Sequence, residues 1–155
     1  IGSCFERLLL EPQLADALRA DPDRLPAFAE EVLRLEPPVQ IAVPRLALAD
    51  VEVGGVRIPA GDRVCPVIPG ANRDPAVYPE PARLDLGRVG PPNLSLATGP
   101  HLCAGAALAR LEAHVSIGRF LTHMADADLA TADLTYRTEG RPSLRGLAAL
   151  PVTVG

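Results

Sequence analysis

The sequence predicts a mainly α-helical chain with small β-sheets, of the α+β class. Apolar residues recur at helical spacing in the first 35 residues and again after residue 104. Between those regions, β-branched residues alternate with polar ones around a Gly-Gly pair, which is typical of a strand hairpin. The chain has 155 residues, a length that suits one domain.

Proline separates the predicted helices of the N-terminal region, which cover residues 1–10, 12–20 and 26–35. Phe5 and Leu8 share one face of the first helix, and Pro12 ends its pattern. The Pro37-Pro38 pair ends the third helix, because proline has no backbone N–H to donate.

The middle of the chain predicts strands and then a long loop. Strands are predicted over residues 39–49, 51–58 and 63–68, the second of them a hairpin about Gly-Gly. We expect Cys65, in the last of these runs, to pack in the core. Residues 69–93 are dense in Pro, Gly, Asn and Asp, which indicates a structured loop.

A long helix is predicted over residues 104–124. Its predicted apolar side consists of Leu108, Leu111, Val115 and Phe120. We expect the chain to end in short strands within residues 134–137 and 147–154, with turns at Gly140 and Gly146.

The composition excludes several classes of partner. The formal net charge is −4, whereas a nucleic-acid surface needs a basic face, so no nucleic acid partner is expected. Cys4, Cys65 and Cys103 follow no disulfide or zinc spacing, which is typical of a reduced, cytoplasmic protein. The apolar runs are too short to span a membrane, so no membrane partner is expected. Because the chain begins at Ile1 with a helical pattern already under way, we expect a segment upstream of it.

Cys103 lies where a Gly- and Pro-rich loop meets the long helix. The positive end of a helix dipole favours a thiolate over a thiol. Gly99 and Gly105 lie on either side and leave room for a flat, bulky group to approach the backbone. From these residues alone, Cys103 is either an activated or metal-bound cysteine, or a buried and inert one.

The residues around Cys103 resemble the haem-binding loop of the cytochrome P-450 monooxygenases, Phe-Gly-x-Gly-x-His-x-Cys-x-Gly-x-x-Leu-Ala-Arg. The matching positions are Gly99, His101, Cys103, Gly105, Leu108, Ala109 and Arg110. Leu96 replaces the Phe of the family and Ala97 its first Gly. The resemblance implies that Cys103 is the thiolate ligand of the iron of haem b, and that Leu96, Ala97 and the two loop glycines lie against the haem.

Glu31 and Arg34 lie three residues apart on the third predicted helix. In isolation, such a pair is an exposed ion pair worth a few tenths of a kcal/mol. On a helix that ends in Pro-Pro, the pair resembles the Glu-x-x-Arg of the P-450 cytochromes, which is buried and holds a loop region through a second arginine. The resemblance identifies Arg88 as that second arginine.

Arg45 and His101 are the candidate partners of the haem carboxylates. Arg45 is either an exposed edge-strand arginine or, by the resemblance, the partner of a haem propionate. His101 is better suited to donate a hydrogen bond to a carboxylate than to bind iron, because Cys103 already fills the proximal position.

The resemblance covers the C-terminal part of the P-450 fold, so residues 1–155 are predicted to form a single partial domain. It implies a cytoplasmic, bacterial-type monooxygenase that inserts one oxygen atom from dioxygen into a small organic, secondary-metabolite-like substrate, with electrons from a ferredoxin-type donor. The oxygen-activating acid–Thr pair of the family is not in this sequence. We therefore assign no catalytic residue within the chain and do not expect these residues alone to be competent.

Two alternatives stay open. A non-enzymatic, P-450-like accessory or scaffold module would keep the fold without turnover, although it would have no reason to retain Cys103 and His101 together. A cysteine nucleophile enzyme lacks a readable His-Asn/Asp partner set. If the chain is part of a monooxygenase, the N-terminal half of the family fold covers one of its faces. We expect that face to be apolar and exposed here, and therefore expect the N-terminal half or a second copy as partner.

Overall fold

Helices carry most of the regular structure. A computed structural model describes residues 1–137 and 143–155 of the chain. The α-helices of these residues are α1 (Gly2–Leu10), α2 (Pro12–Ala20), α3 (Leu25–Leu35), α4 (Ile68–Ala71) and α5 (Ala106–His123). Short 3₁₀ turns form at Pro22–Arg24 and at Gly99–His101. None of the described helices combines the length and the apolar character needed to cross a membrane.

Proline sets the ends of the first three helices, as predicted. Pro12 and Pro26 lie in the first turns of α2 and α3, where a backbone N–H has no partner within the helix. At the end of α3, the Glu36 N–H still donates to the Val32 carbonyl, at 2.7 Å. Pro37 follows and cannot continue the pattern.

The strands are short and pair locally. They are β1 (Arg45–Leu46), β2 (Val51–Val53), β3 (Val56–Ile58), β4 (Arg63–Val64), β5 (Ala127–Leu129), β6 (Tyr136–Arg137), β7 (Gly146–Leu147) and β8 (Val152–Val154). In the part of the chain that the structure describes, they form antiparallel pairs: β1 with β4, β2 with β3, β5 with β8, and β6 with β7. Gly54 and Gly55 join β2 to β3 with φ of 58° and 79°, as a type I′ turn requires. The predicted hairpin and the α+β class are confirmed.

Three predictions for the middle of the chain are wrong. The run 63–68 forms a strand only at Arg63–Val64, and Ile68 begins α4. The run 39–49 does not form one strand, because Pro44 has no N–H for a ladder. It contains only the two-residue β1 and isolated bridges at Val39 and Ile41. Cys65, expected in the core, is exposed. The β1–β4 ribbon is too small to bury its own side chains, and Leu46 within it is 58% exposed.

The C-terminal region differs from the prediction in two places. Ala127–Leu129 forms β5 and pairs with the last strand, β8, in a register that the sequence does not predict. Gly146 begins β7 and does not lie in a turn. The turn predicted at Gly140 lies outside the described residues.

The hydrophobic core lies among α1, α2, α3 and α5. Leu18, Phe28 and Ile117 are completely buried there, at 0% exposure. Phe5 stacks on Phe120 with ring centroids 4.6 Å apart, which joins α1 to α5. Burial of each large apolar side chain contributes about 1.5–3 kcal/mol, so these helices supply most of the apolar stabilisation.

Of the predicted apolar side of α5, only Phe120 packs against the core. Ile117 and Leu121 are buried, whereas Leu108 and Leu111 are each 59% exposed and Val115 is 52% exposed. We call the latter three residues the outer face of α5. The helix is apolar on both sides, so its periodicity does not show which side the chain itself covers.

Truncation of Phe28 tests the core. Phe28→Ala removes a completely buried ring from α3 and should lower the free energy of unfolding by about 3–5 kcal/mol. Leu48→Ala is the control, because Leu48 is 91% exposed and its loss should change that free energy by less than about 0.5 kcal/mol. Urea unfolding followed by circular dichroism measures both. Equal losses in the two variants would contradict this core.

Candidate functional site

Cys103 is held by backbone hydrogen bonds on both sides. Its N–H donates to the Leu96 carbonyl at 2.9 Å, which closes the loop that contains the 3₁₀ turn. Its own carbonyl accepts a bond from the N–H of Ala106, the first residue of α5, at 3.0 Å. The cysteine is therefore fixed at the entrance of an 18-residue helix.

Two residues of this loop have left-handed backbone conformations. Gly99 has a φ of 63°, and no atom lies within 4 Å of the place where a Cβ would stand. Ala97 has a φ of 59°. A left-handed conformation costs a residue with a Cβ about 1–2 kcal/mol and costs glycine almost nothing. Ala97 stands where the resembled loop has glycine. The surrounding hydrogen bonds therefore hold Ala97 in a left-handed conformation that alanine disfavours.

The surroundings of the Cys103 sulfur fit a flat, apolar metal cofactor. The thiol is exposed, and a Cβ at Gly105 would stand 3.9 Å from the sulfur, so glycine leaves that flank open. Leu102 is 55% exposed and Leu108 is 59% exposed. A thiolate is a soft ligand that binds haem iron. The residues present therefore fit the haem that the loop resemblance implies.

Glu31 accepts hydrogen bonds from two arginines and one backbone amide. Arg34 Nε donates to Oε1 at 2.7 Å, and Arg34 Nη2 donates to Oε2 at 3.0 Å. Arg88 Nε lies 3.1 Å from both carboxylate oxygens, and the Asp85 N–H donates to Oε2 at 2.9 Å. The side chains of Glu31 and Arg34 are 8% and 2% exposed, so this pair is buried. We call Glu31, Arg34 and Arg88 the Glu31 cluster.

The guanidinium groups of the Glu31 cluster also hold the loop that follows α4. Arg34 donates to three carbonyls of this loop, those of Asn72 (3.0 Å), Pro81 (2.7 Å) and Arg83 (2.9 Å). Arg88 donates to the Pro79 carbonyl at 2.7 Å. Residues 73–88 contain neither helix nor strand, and these bonds give them a defined path.

Hydrogen bonding lowers the pKa of Glu31. Burial alone would raise the pKa of this carboxyl, but bonds from Arg34, the Asp85 N–H and Arg88 together outweigh the burial. The folded pKa therefore lies below the unfolded one. The contribution of Glu31 to stability is complete above the usual glutamate pKa and is lost as the pH falls through the folded pKa.

Arg45 and His101 are exposed and lie on separate elements. Arg45 is in β1, opposite Val64 of β4, and His101 ends the 3₁₀ turn two residues before Cys103. Within residues 1–137 and 143–155, hydrogen bonds connect the members of the Glu31 cluster, whereas no contact connects Arg45 to His101. Their part in binding a haem stays a prediction.

Sequence reasoning missed the polar residues that tie the Cys103 loop to α3. Asn72 is completely buried, and its side chain donates to Ser95 ahead of the loop. Glu30 accepts hydrogen bonds from Arg110 Nε at 2.6 Å and from Asn93 Nδ2 at 2.9 Å, which joins α3 to α5. The sequence signal for such residues is the occurrence of asparagines in a Pro- and Gly-rich stretch. Local sequence does not show which of these asparagines is buried.

A cavity of about 490 Å³ lies among α1, α3 and α5. Its apolar lining includes Val32, Ala113 and Leu96. Leu96 also accepts the Cys103 N–H, so this apolar space extends to the base of the Cys103 loop.

Known proteins resemble this chain over its whole length. The family model described as Cytochrome P450 matches residues 19–125, a range that contains both the Glu31 cluster and Cys103. A protein named putative cytochrome P450 140, from Mycobacterium tuberculosis, is 43% identical over 159 residues, which cover 100% of this chain and 35% of that protein. Vitamin D(3) 25-hydroxylase from Pseudonocardia autotrophica is 40% identical over 157 residues, which cover 100% of this chain and 38% of that protein.

A solved structure shares the fold. It is the crystal structure of P450BioI in complex with hexadec-9Z-enoic acid ligated acyl carrier protein, with a TM-score of 0.91 and 37% identity. The match covers 100% of this chain and 40% of that chain. The chain thus spans between 35% and 40% of the length of these proteins.

Replacement of Glu31 tests the buried cluster. Glu31→Gln keeps the size of the side chain but leaves Arg34 buried without its counter-charge. It should lower the free energy of unfolding at neutral pH by about 3–5 kcal/mol. Glu112→Gln removes the same charge at an exposed position of α5 and should change that free energy by less than about 0.5 kcal/mol. Urea unfolding measures both variants.

Acid titration gives the Glu31→Gln experiment a second readout. The difference in stability between the unaltered chain and Glu31→Gln should shrink as the pH falls below about 4.3, because Glu31 then begins to be protonated in the unfolded and next in the folded state. A difference that stays constant through the acid range would show that the charge of Glu31 does not contribute.

Proposed function

The chain belongs to the cytochrome P450 family, and on that basis we propose that it supplies the thiolate side of a haem-thiolate monooxygenase, with Cys103 as the ligand of haem b. One observation carries the proposal. The exposed thiol of Cys103 is fixed between two backbone hydrogen bonds at the start of α5, with an open flank at Gly105.

The residues of this chain have separate roles in the proposed site. Cys103 binds the iron, and the Glu31 cluster holds the loop that supports it. Arg45 binds one haem carboxylate through an ion pair, and His101 donates a hydrogen bond to the other. Leu96, Ala97 and Gly99 give the loop the shape that faces the cofactor. When bound, the haem supplies the redox chemistry by which dioxygen is activated.

The complete family fold is required for turnover. The proposed reaction inserts one oxygen atom from dioxygen into a small organic substrate, with electrons from a ferredoxin-type donor, in a bacterial cytoplasm. Since the chain spans 35% to 38% of the two relatives described above, the proposal assigns the oxygen-activating acid–Thr pair and the distal wall of the substrate site to the remainder of the fold. Vitamin D(3) and a fatty acyl chain, named for two of the similar proteins, differ in shape, so the substrate class is kept at small organic molecules.

The outer face of α5 is the proposed contact for the remainder of the fold or for a second copy. Leu108, Leu111 and Val115 recur at helical spacing and are each more than half exposed. A contiguous apolar strip of this kind is typical of an interaction surface.

Carbon monoxide spectroscopy tests the role of Cys103. The chain is purified with haem, reduced and exposed to carbon monoxide, and thiolate ligation gives the shifted carbonyl band for which the family is named. Cys103→Ala should abolish the band, whereas Cys65→Ala removes the other exposed thiol and should leave it unchanged. A band that survives Cys103→Ala would contradict the ligand assignment. A failure of the unaltered chain to take up haem would contradict haem binding by these residues.

Light scattering tests the outer face of α5. We expect the chain to self-associate, and the double variant Leu108→Glu with Leu111→Glu should shift it to monomers, because a carboxylate is costly to bury in an apolar contact. Leu48→Glu is the control, since that side chain is equally apolar and 91% exposed but belongs to the segment between β1 and β2. Monomers of the unaltered chain would refute self-association through this face.

A further inference from the structure

Asn72, the residue after α4, is completely buried, at 0% exposure. Its Oδ1 accepts a hydrogen bond from the Leu94 N–H at 2.8 Å, and its Nδ2 donates to Ser95 Oγ at 2.9 Å. Both partners belong to residues 93–96, which precede the Cys103 loop and which we call its stem. The side chain of Asn72 thus spans more than twenty residues of sequence to fix one short segment.

The stem is bonded on its other side to α3 and to Cys103. Ser95 Oγ donates to the Leu33 carbonyl of α3 at 2.6 Å. The next residue, Leu96, accepts the Cys103 N–H at 2.9 Å. A displacement of the stem therefore displaces the acceptor that holds Cys103.

The backbone of Asn72 is bonded to the Glu31 cluster. Arg34 Nη1 donates to the Asn72 carbonyl at 3.0 Å, and the same guanidinium is held by Glu31 at 2.7 Å. Asn72 therefore contacts the buried ion pair through its carbonyl and the stem through its side chain. The path from Glu31 to Cys103 runs through these hydrogen bonds and the short peptide segments between them.

We infer that Asn72 is a positioning residue that sets the place of Cys103 relative to the Glu31 cluster. Its importance for haem binding rests on the ligand role proposed for Cys103. An amide is required here because it accepts from Leu94 and donates to Ser95 at once. Aspartate would face the Ser95 oxygen with a second acceptor, since the Ser95 proton is already donated to α3. Leucine would leave the Leu94 N–H without its acceptor and would remove the donor to the Ser95 oxygen.

Hydrogen exchange tests this inference without haem. Asn72→Asp and Asn72→Leu should raise the exchange rate of the Cys103 N–H by about tenfold relative to that of Ile117, because the bond to Leu96 is weakened while α5 is kept. Leu18→Ala is the matched control: it destabilises the core and should raise the Ile117 rate at least as much as the Cys103 rate.

Ser95→Ala provides a second, smaller change. It removes the acceptor of Asn72 Nδ2 and also the donor to the Leu33 carbonyl. It should therefore raise the relative Cys103 rate in the same direction, even if Asn72→Leu fails to fold. If the exchange rates of Cys103 and Ile117 rise by the same factor in the Asn72→Asp and Ser95→Ala variants, the inference is overturned. Asn72 would then stabilise the whole fold without positioning Cys103.

The carbonyl band gives a readout in the haem-loaded chain. At equal haem content, Asn72→Asp should lower the fraction of haem that gives the shifted band, whereas Leu18→Ala should not. An unchanged fraction in Asn72→Asp would overturn the positioning role. If the unaltered chain takes up no haem, the proposed function fails, and the exchange rates still decide the role of Asn72.

Discussion

The buried carboxylate of Glu31 determines the shape of the region that carries the candidate site. The Arg34 guanidinium is 2% exposed, and such a group is stable in the interior only where its charge is matched and its N–H groups are bonded. Glu31 matches the charge, and carbonyls of the loop after α4 take the remaining donors. Because each carbonyl must point at the guanidinium, this loop has a defined conformation although it contains no regular structure.

Stability and site geometry depend on different kinds of interaction in this molecule. The four longer helices bury apolar side chains against one another. The loops between α4 and α5 also pack Leu84 and Leu86 on this core, but their path is fixed mainly by polar bonds to α3. Helix α3 belongs to both systems, since it buries Phe28 in the core and Glu31 in the ion pair. A disturbance of α3 therefore affects the apolar core and the base of the Cys103 loop together.

Sequence reasoning succeeded where a signal lies within a few residues. The first three helices follow from periodicity and proline, and the entrance of Cys103 into a helix follows from the loop composition. The buried side of α5 could not be predicted, because Leu108 and Ile117 are equally apolar and burial depends on which distant elements pack there. Asn72 was missed for the same reason, since its partners lie more than twenty residues away. Arg88 could be paired with Glu31 only through the family resemblance.

The three cysteines differ in their access to oxidants. Burial raises the pKa of Cys4 to about 11, which keeps that thiol protonated and inert, whereas Cys65 and Cys103 are exposed. Two accessible sulfurs per chain allow disulfides to link copies into chains longer than dimers. Sulfenic acid or a mixed disulfide at Cys103 would also block its sulfur from iron. A reducing environment therefore keeps copies of the chain from being linked by disulfides and keeps Cys103 available as the proposed iron ligand.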